Sequence, residues 1–385
     1  MKKTLIAIAA LAATTAFAQS TVTIDGVVDA GYVSYDIKGA KVGGVDRNLT
    51  ATSGINFRVN TDLGGGMRAV WRSETNFSPV NHTVNTGATG NTVGAAGTAG
   101  ATATGLTNGA ASSFGGGEQF LQLSGKSGSV TFGAINNTAL TANGYANPFG
   151  TAIGSGFGAT AGATATASVR NTNTLQLRSA PFAGGFTVNF IGRKAQTSSS
   201  QANNSTFNAL LGAQQMASVN SISALYNAGP INAILTRDVE DATGVNGTTA
   251  GTGAAAAGAR GTFTSLAGNY KFGAATVFAG WQGNRSVSTV GAVTADRTTT
   301  LLGGRYDMGV NSFLGSVQRA NNSLTATSSS LLGLGYEYAL SKTTSLTARY
   351  ERIADGAAMV VTTGYATTAG NQDRTRMGVG LRMGF

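Results

Sequence analysis

Cysteine is absent from the chain, and histidine occurs once, as His82, in a Gly/Ala/Thr-rich segment. A His/Cys metal site therefore has no donor set, and a His-based catalytic triad has one base in low-complexity surroundings. Disulfide stapling is excluded as well, so a chain of 385 residues must hold itself together by burial and sheet closure. Proline is scarce, at four residues against 56 glycines, and one large β domain fits this composition better than several small ones. After the first twenty residues no run of 18 apolar residues occurs, which excludes helical membrane insertion. Acidic residues are also few, 16 against 26 Lys and Arg, and none lies between Glu118 and Asp238. A basic balance can indicate nucleic acid, but no Lys/Arg run follows the N-terminal segment, and nucleic acid is not an expected partner.

What the chain does contain begins with an export signal. Lys2 and Lys3 precede an apolar run from Leu5 to Phe17 that closes on Ala16-Phe17-Ala18, a small-x-small cleavage pattern. The run is too short to span a bilayer, so cleavage is expected after Ala18, dividing the chain into a leader (1–18) and one exported domain (19–385).

The exported part is written in period 2. From Ile55 to Phe77, the residues Ile55, Phe57, Val59 and Leu63 alternate with Asn56, Arg58, Asn60 and Asp62. After Gly64-Gly65-Gly66 the pattern resumes with Met67, Ala69 and Trp71 against Arg68 and Arg72, which predicts an antiparallel hairpin with one apolar and one charged face. The same rhythm gives sixteen strands. A first strand (Thr21 to Tyr35) is followed by a loop to about Thr50, then the hairpin. Strands at Gln119–Ser124 and Ser129–Ile135 follow an apolar-poor stretch, 78–116, and a second such stretch, 136–170, precedes strands from Asn171 to Ser179 and Phe186 to Lys194. Four further hairpins and a last strand, Arg374 to Phe385, complete the set. Short turns alternate with long Gly/Thr/Asn/Ala connections, and the mean hydropathy is only +0.04. Both are expected of a transmembrane barrel, whose strands alternate lipid-facing and water-facing residues between brief periplasmic turns and long external loops.

Parity follows from charge. An arginine turned to mid-bilayer lipid costs about 2–4 kcal/mol, so the Arg-bearing face must be the lumen. On that parity Trp71, Trp281, Tyr306, Tyr336, Tyr338 and Tyr350 fall outward as aromatic girdles, and Met377, Val379, Leu381, Met383 and Phe385 form the outer face of the last strand.

The segments Thr21-Val22-Thr23-Ile24-Asp25-Gly26, Thr61-Asp62-Leu63-Gly64-Gly65-Gly66-Met67, Leu121-Gln122-Leu123-Ser124-Gly125 and the terminal Phe385 resemble the general porins of Gram-negative outer membranes, in particular the proteobacterial branch with anion-preferring members. The resemblance implies a homotrimer of 16-stranded antiparallel barrels in outer-membrane lipid and lipopolysaccharide, each with its third external loop folded inward. It also implies that Phe385 is read by the barrel assembly machinery. Gly133-Ala134-Ile135 stands where many members carry Gly-Arg-Gln, and the usual carboxylates of the constriction loop are missing.

The expected function is a pore for small ions and hydrophilic solutes, without catalysis, cofactor or metal. The alternative is a substrate-specific channel for small anionic solutes. The candidate selectivity residues are Arg58, Arg68, Arg72, Arg178, Arg349, Arg376 and Arg382 together with Glu74, facing the loop 136–170 that lies in the acid-free stretch. One arginine about 5 Å from an ion is worth only about 0.8 kcal/mol in water, so three or four would have to converge to select strongly. In opposition, Asp25, Asp29, Asp62, Glu74 and Glu351 are placed to neutralise arginines in lumenal pairs. Nucleotide motifs fail: Gly125-Lys126-Ser127 lacks the leading glycine of a phosphate loop, where Phe120 stands, and no helical periodicity follows Gly154-Ser155-Gly156-Phe157-Gly158-Ala159.

Overall fold

A computed structural model describes residues 20–37, 40–80, 116–156, 170–194, 218–241, 260–288, 290–354 and 373–385. The expected leader (1–18) and His82 lie outside the described residues. The alternating segments form one antiparallel sheet that closes on itself. Its first strands are β1 (Ser20–Ile37), β2 (Ala40–Arg47), β3 (Gly54–Gly64), β4 (Met67–Asn76), β5 (Gly116–Gly125) and β6 (Gly128–Asn136). A helix, α1 (Thr138–Ala146), precedes β7 (Arg170–Ser179), β8 (Phe186–Arg193), β9 (Ser218–Ala228), β10 (Ile231–Asp241), β11 (Arg260–Phe272) and β12 (Ala275–Val287). The wall is completed by β13 (Val293–Met308), β14 (Asn311–Asn322), β15 (Thr327–Ala339), β16 (Thr344–Ala354) and β17 (Arg374–Gly384).

Closure is made by β17 against β1, in register from Val27 opposite Gly384 to Ile37 opposite Arg374. Gly26 and Phe385 exchange backbone hydrogen bonds of 2.9 and 3.1 Å at the seam, so the last residue completes the ladder. The long β1 pairs on its other edge with β3 over residues 20–27 and with β2 over residues 30–37. Thus β2 and β3 share one place in the wall, and seventeen segments make a barrel of sixteen strands. The expectation of a plain loop from residue 36 to Thr50 is therefore corrected. Ala40–Arg47 folds back on β1 because β1 runs on beyond its ladder with β3 and offers a free edge from Ala30 to Ile37.

Parity is as the charges require on β3, β4, β7 and β17, whereas β10, β11, β12, β14 and β16 each carry an arginine on the outward face, a correction to the expectation that every arginine-bearing face is lumenal. Along β10, Ile234, Thr236 and Asp238 are buried while Leu235 and Arg237 are exposed, and the same alternation runs through β14 and β16. Outward aromatics gather near the short turns, where Phe313 and Tyr336 lie 5.4 Å apart and Phe186 and Tyr226 4.7 Å apart between ring centres. Exposed Leu, Val and Ile occupy the belt beyond them. Among the described residues, three clusters of buried apolar residues lie inside the barrel against the segment 137–156, and a fourth, Ala320, Leu331 and Ile353, joins β14, β15 and β16. The sequence predicts an apolar-poor loop there, but the segment contains the nine-residue α1, whose small Ala139, Ala142 and Ala146 fit against Phe263, Ile234 and Ala267. Its periodicity is hard to see because the buried side is alanine and threonine rather than leucine.

Candidate functional site: the lumen and its inward segment

The segment leaves the wall at Asn136 and is fixed along its length. Asn137 caps α1, its side-chain oxygen accepting from Leu140 N–H at 2.8 Å. In the first turn Thr138 donates to Asp238 on β10 and stands 2.6 Å from the Thr236 hydroxyl. At the far end of α1, Tyr145 donates to Asn227 at 2.7 Å and its carbonyl accepts from Asn269 at 3.2 Å. Beyond the helix, Gly154 and Gly156 N–H groups donate to the Glu351 carboxylate at 3.1 and 3.0 Å, and Gln318 donates to Ser155 O at 2.6 Å. The Ile153 N–H reaches Leu49 O at 3.3 Å, beside the short connection that Asp29 holds by accepting from the backbone of Leu49, Thr50 and Ala51. These anchors are on β9 to β16 or the β2–β3 connection. The segment accordingly lines one half of the interior and faces the wall around β3 to β5.

Two glycines set how closely it lies. A methyl group on Gly280 of β12 would stand 2.6 Å from Ala146 Cβ, and one on Gly333 of β15 would stand 2.2 Å from Gly154 O. No real Cβ contact is that short, so only glycine lets the segment rest on the wall at these points.

The expected selectivity residues all take lumenal parity, but they do not gather at one point. On β3, Arg58 pairs with Asp25 at 3.3 Å and keeps 41% of its side chain exposed. Beside it on β4, Arg72 contacts Glu118 closely, Glu74 at 3.1 Å and Asn56 at 3.0 Å, and Arg170 adds a second cation 3.6 Å from Glu74. Glu74 is thus shared between two arginines and lies 3.2 Å from Glu118 N–H. On β16, three places round the wall from β3, Arg349 is buried, paired with Glu337, with its guanidinium 5.3 Å from the centre of the Phe149 ring. Arg376 and Arg374 converge on Glu351, which is fully buried, at 2.8 and 3.0 Å. The remaining three, Arg68, Arg178 and Arg382, lie toward the short-turn end of β4, β7 and β17, and none forms an ion pair among the described residues. Asp62 stands opposite Arg68 in register, while its carboxylate accepts from Gly64 N–H at 2.8 Å.

The lumenal charges therefore belong to two sets. Arg72, Arg349 and Arg376 are compensated and hydrogen-bonded, which makes them structural cross-braces as well as lumen lining. Arg58 keeps an accessible guanidinium opposite the inward segment, and Arg178 and Arg382 are uncompensated at the turn end. The described part of the segment, 137–156, contains no charged residue. An ion between wall and segment meets charge from the wall side alone.

Period-2 reasoning missed the cluster of Arg305, Asp307 and Glu337, where Arg305 reaches Asp307 at 2.8 Å and Glu337 at 3.2 Å. Its signal was present: Arg305 and Asp307 are two apart, hence on one face of one strand. The Thr138–Asp238 contact left no such mark, since its partners are a hundred positions apart.

Comparison with known proteins agrees with this architecture. Residues 4–358 match the family of Gram-negative porins. Over 72 residues the chain is 46% identical to outer membrane porin protein 32 of Delftia acidovorans, a match covering 18% of this chain and about a fifth of that relative's length. The barrel superposes on an anion-selective porin from Comamonas acidovorans with a TM-score of 0.70 at 20% identity, covering 95% of this chain and all of the other. It also superposes on a trimer form of Vibrio cholerae OmpT with a TM-score of 0.60 at 12% identity, covering 95% and 99% of the two chains. With its closed sixteen-stranded wall, outward apolar belt and matched family pattern, the chain belongs to the Gram-negative porin family, the multi-pass β-barrels of the outer membrane.

Proposed function

We propose that the protein forms a water-filled pore through which small hydrophilic solutes and ions diffuse passively, with a preference for anions. The observation that carries the preference is the charge asymmetry of the lumen: a segment without charge faces a wall that presents Arg58, with Arg178 and Arg382 uncompensated toward the turn end. Arginine suits this role because it stays charged at any working pH. Arg68 adds to the same potential, offset by Asp62, while Arg72, Glu74, Arg349 and Arg376 hold the shape of the opening. Anion selectivity in the Comamonas structure is consistent with this reading.

The working unit is a homotrimer, as in the OmpT trimer form, embedded in outer-membrane lipid with lipopolysaccharide around it. Phe385 serves as the assembly signal and residues 1–18 as a leader removed after Ala18. No catalytic role is proposed. The test is the reversal potential of the detergent-extracted protein in a planar bilayer under a tenfold KCl gradient. The expected sign is that of chloride permeating faster than potassium; the opposite sign would make the lumenal carboxylates dominant and sink the preference.

A further inference from the structure

The lumenal face of β10 carries two carboxylates that the pore reading leaves unused. Asp238 ends the acid-free stretch that begins after Glu118, and Glu240 follows at the next position of the same parity, about 7 Å further along the strand. Asp238 is buried, and its two oxygens have different surroundings. Oδ1 accepts from the Thr138 hydroxyl and lies 3.4 Å from that of Thr236, whereas Oδ2 has no hydrogen-bond partner among the described residues. Ser221, directly opposite Asp238 on β9, is buried as well, and its hydroxyl, though beside the carboxylate, completes no hydrogen bond. These two unpartnered groups line one small void of about 10 Å³, the room of a single water or metal ion, which Asn137, Asn171 and Glu240 also border. Gly261, opposite Glu240 on β11, brings no side chain to that space. Glu240 is only half-buried and gives the void a charged, accessible lip.

A buried carboxylate oxygen without a donor costs folding free energy until a donor or a cation meets it. A water would serve Oδ2, but it would leave two carboxylates side by side, opposed by Arg193, which stands across Val219 from Glu240 and donates to Thr172 O at 3.1 Å. A cation satisfies the oxygen and the charge together. The donors bordering the void are oxygens of carboxylates, a hydroxyl and amide side chains, the set preferred by hard cations. They come from three strands and the start of the inward segment, an irregular arrangement that suits calcium better than magnesium, which demands a near-ideal octahedron. We propose that this void is a divalent-cation site of the calcium class, with Asp238 and Glu240 as its charged ligands and the Ser221 hydroxyl as a neutral one. A cation held there ties β9 and β10 together beside Asn137, the cap of α1, and so braces the inward segment where it leaves the wall. The inference adds a metal site to the pore reading and does not depend on the sign of ion selectivity.

The test uses the full chain refolded in detergent, so that no lipopolysaccharide contributes calcium sites of its own, and stripped of metal with EDTA before dialysis. Calcium chloride is titrated calorimetrically into wild type, D238N and E240Q, with magnesium chloride as the second probe. Wild type is expected to bind one calcium per chain with a Kd of about 10⁻⁴ M, the range of sites facing an external medium, and magnesium about tenfold more weakly. Each variant should bind calcium at least about tenfold more weakly than wild type, since each removes one of the two charged ligands. E240Q carries the test if D238N fails to fold, because Glu240 takes no part in the Thr138 contact. Calcium should also raise the unfolding temperature of wild type and leave that of E240Q where it was. Calcium affinity that is the same in wild type and E240Q overturns the site. So does the lack of saturable binding up to millimolar calcium, which would mean that the void holds a water only. Magnesium bound as tightly as calcium overturns the calcium assignment.

Discussion

At the scale of single residues, charge in this lumen is defined by what each arginine touches. Arg58 and Asp25 form a half-exposed pair, and solvent weakens such pairs, so both members remain visible to a passing ion. Arg58→Gln should lower the chloride-to-potassium permeability ratio about twofold and Asp25→Asn raise it by a similar factor, read from reversal potentials. The double variant R178Q/R382Q should lower the ratio further, because neither arginine has a carboxylate partner among the described residues. Its effect should shrink in concentrated salt, where the Debye length falls to about 3 Å at 1 M. Glu351 behaves differently. It is buried beneath Arg374, Arg376 and two backbone N–H groups of the inward segment, and Glu351→Gln leaves two arginines facing a neutral amide. The expected outcome is a loss of about 3 kcal/mol in stability, measured as a lower unfolding temperature in detergent, together with noisier single-channel currents from a loosened segment.

At the scale of elements, the inward segment depends on anchors in the wall more than on its own helix. Its α1 has nine residues, too few to persist alone, and it is held by Asn137 at its start and by Thr138, Tyr145 and the Gly154–Gly156 backbone against β9 to β16. Gly333 is the tightest point of contact. Gly333→Val would drive a side chain into Gly154 O, a backbone atom that cannot swing away, so the segment must lift from β15. Single-channel conductance should change while the β-sheet circular dichroism stays as it was. Unaltered conductance would mean that the segment does not bound the opening there.

At the scale of the whole molecule, a barrel without disulfides has one seam, and β1 with β17 makes it. The last residue takes part, since Phe385 shares a reciprocal pair of backbone hydrogen bonds with Gly26 and presents its ring on the outward face. Removing Phe385 should cost those bonds and the proposed assembly signal together. The expected result is a smaller fraction of heat-modifiable, folded protein in outer membranes. Refolding of the same variant in detergent micelles should be less impaired, because no assembly machinery acts there.

The wall is written in the alternation of the chain. Period 2 makes the sixteen strands legible, and on β3, β4 and β17 an arginine set against apolar residues fixes the lumenal side of Arg58, Arg72 and Arg376, whereas the rule fails for Arg237, Arg319 and Arg352, which stand outward. It did not reveal Ala40–Arg47 as a strand, because that segment gains its partner only when β1 extends past the rim. Nor could it say which arginines act as free charge. Pairing depends on register between distant strands and on the inward segment, which bring Arg376 to Glu351 and Thr138 to Asp238. Alternation along a strand fixes the face of each side chain, but only the closed barrel decides what stands across the lumen from it, and that separates a bracing arginine from one an anion can feel.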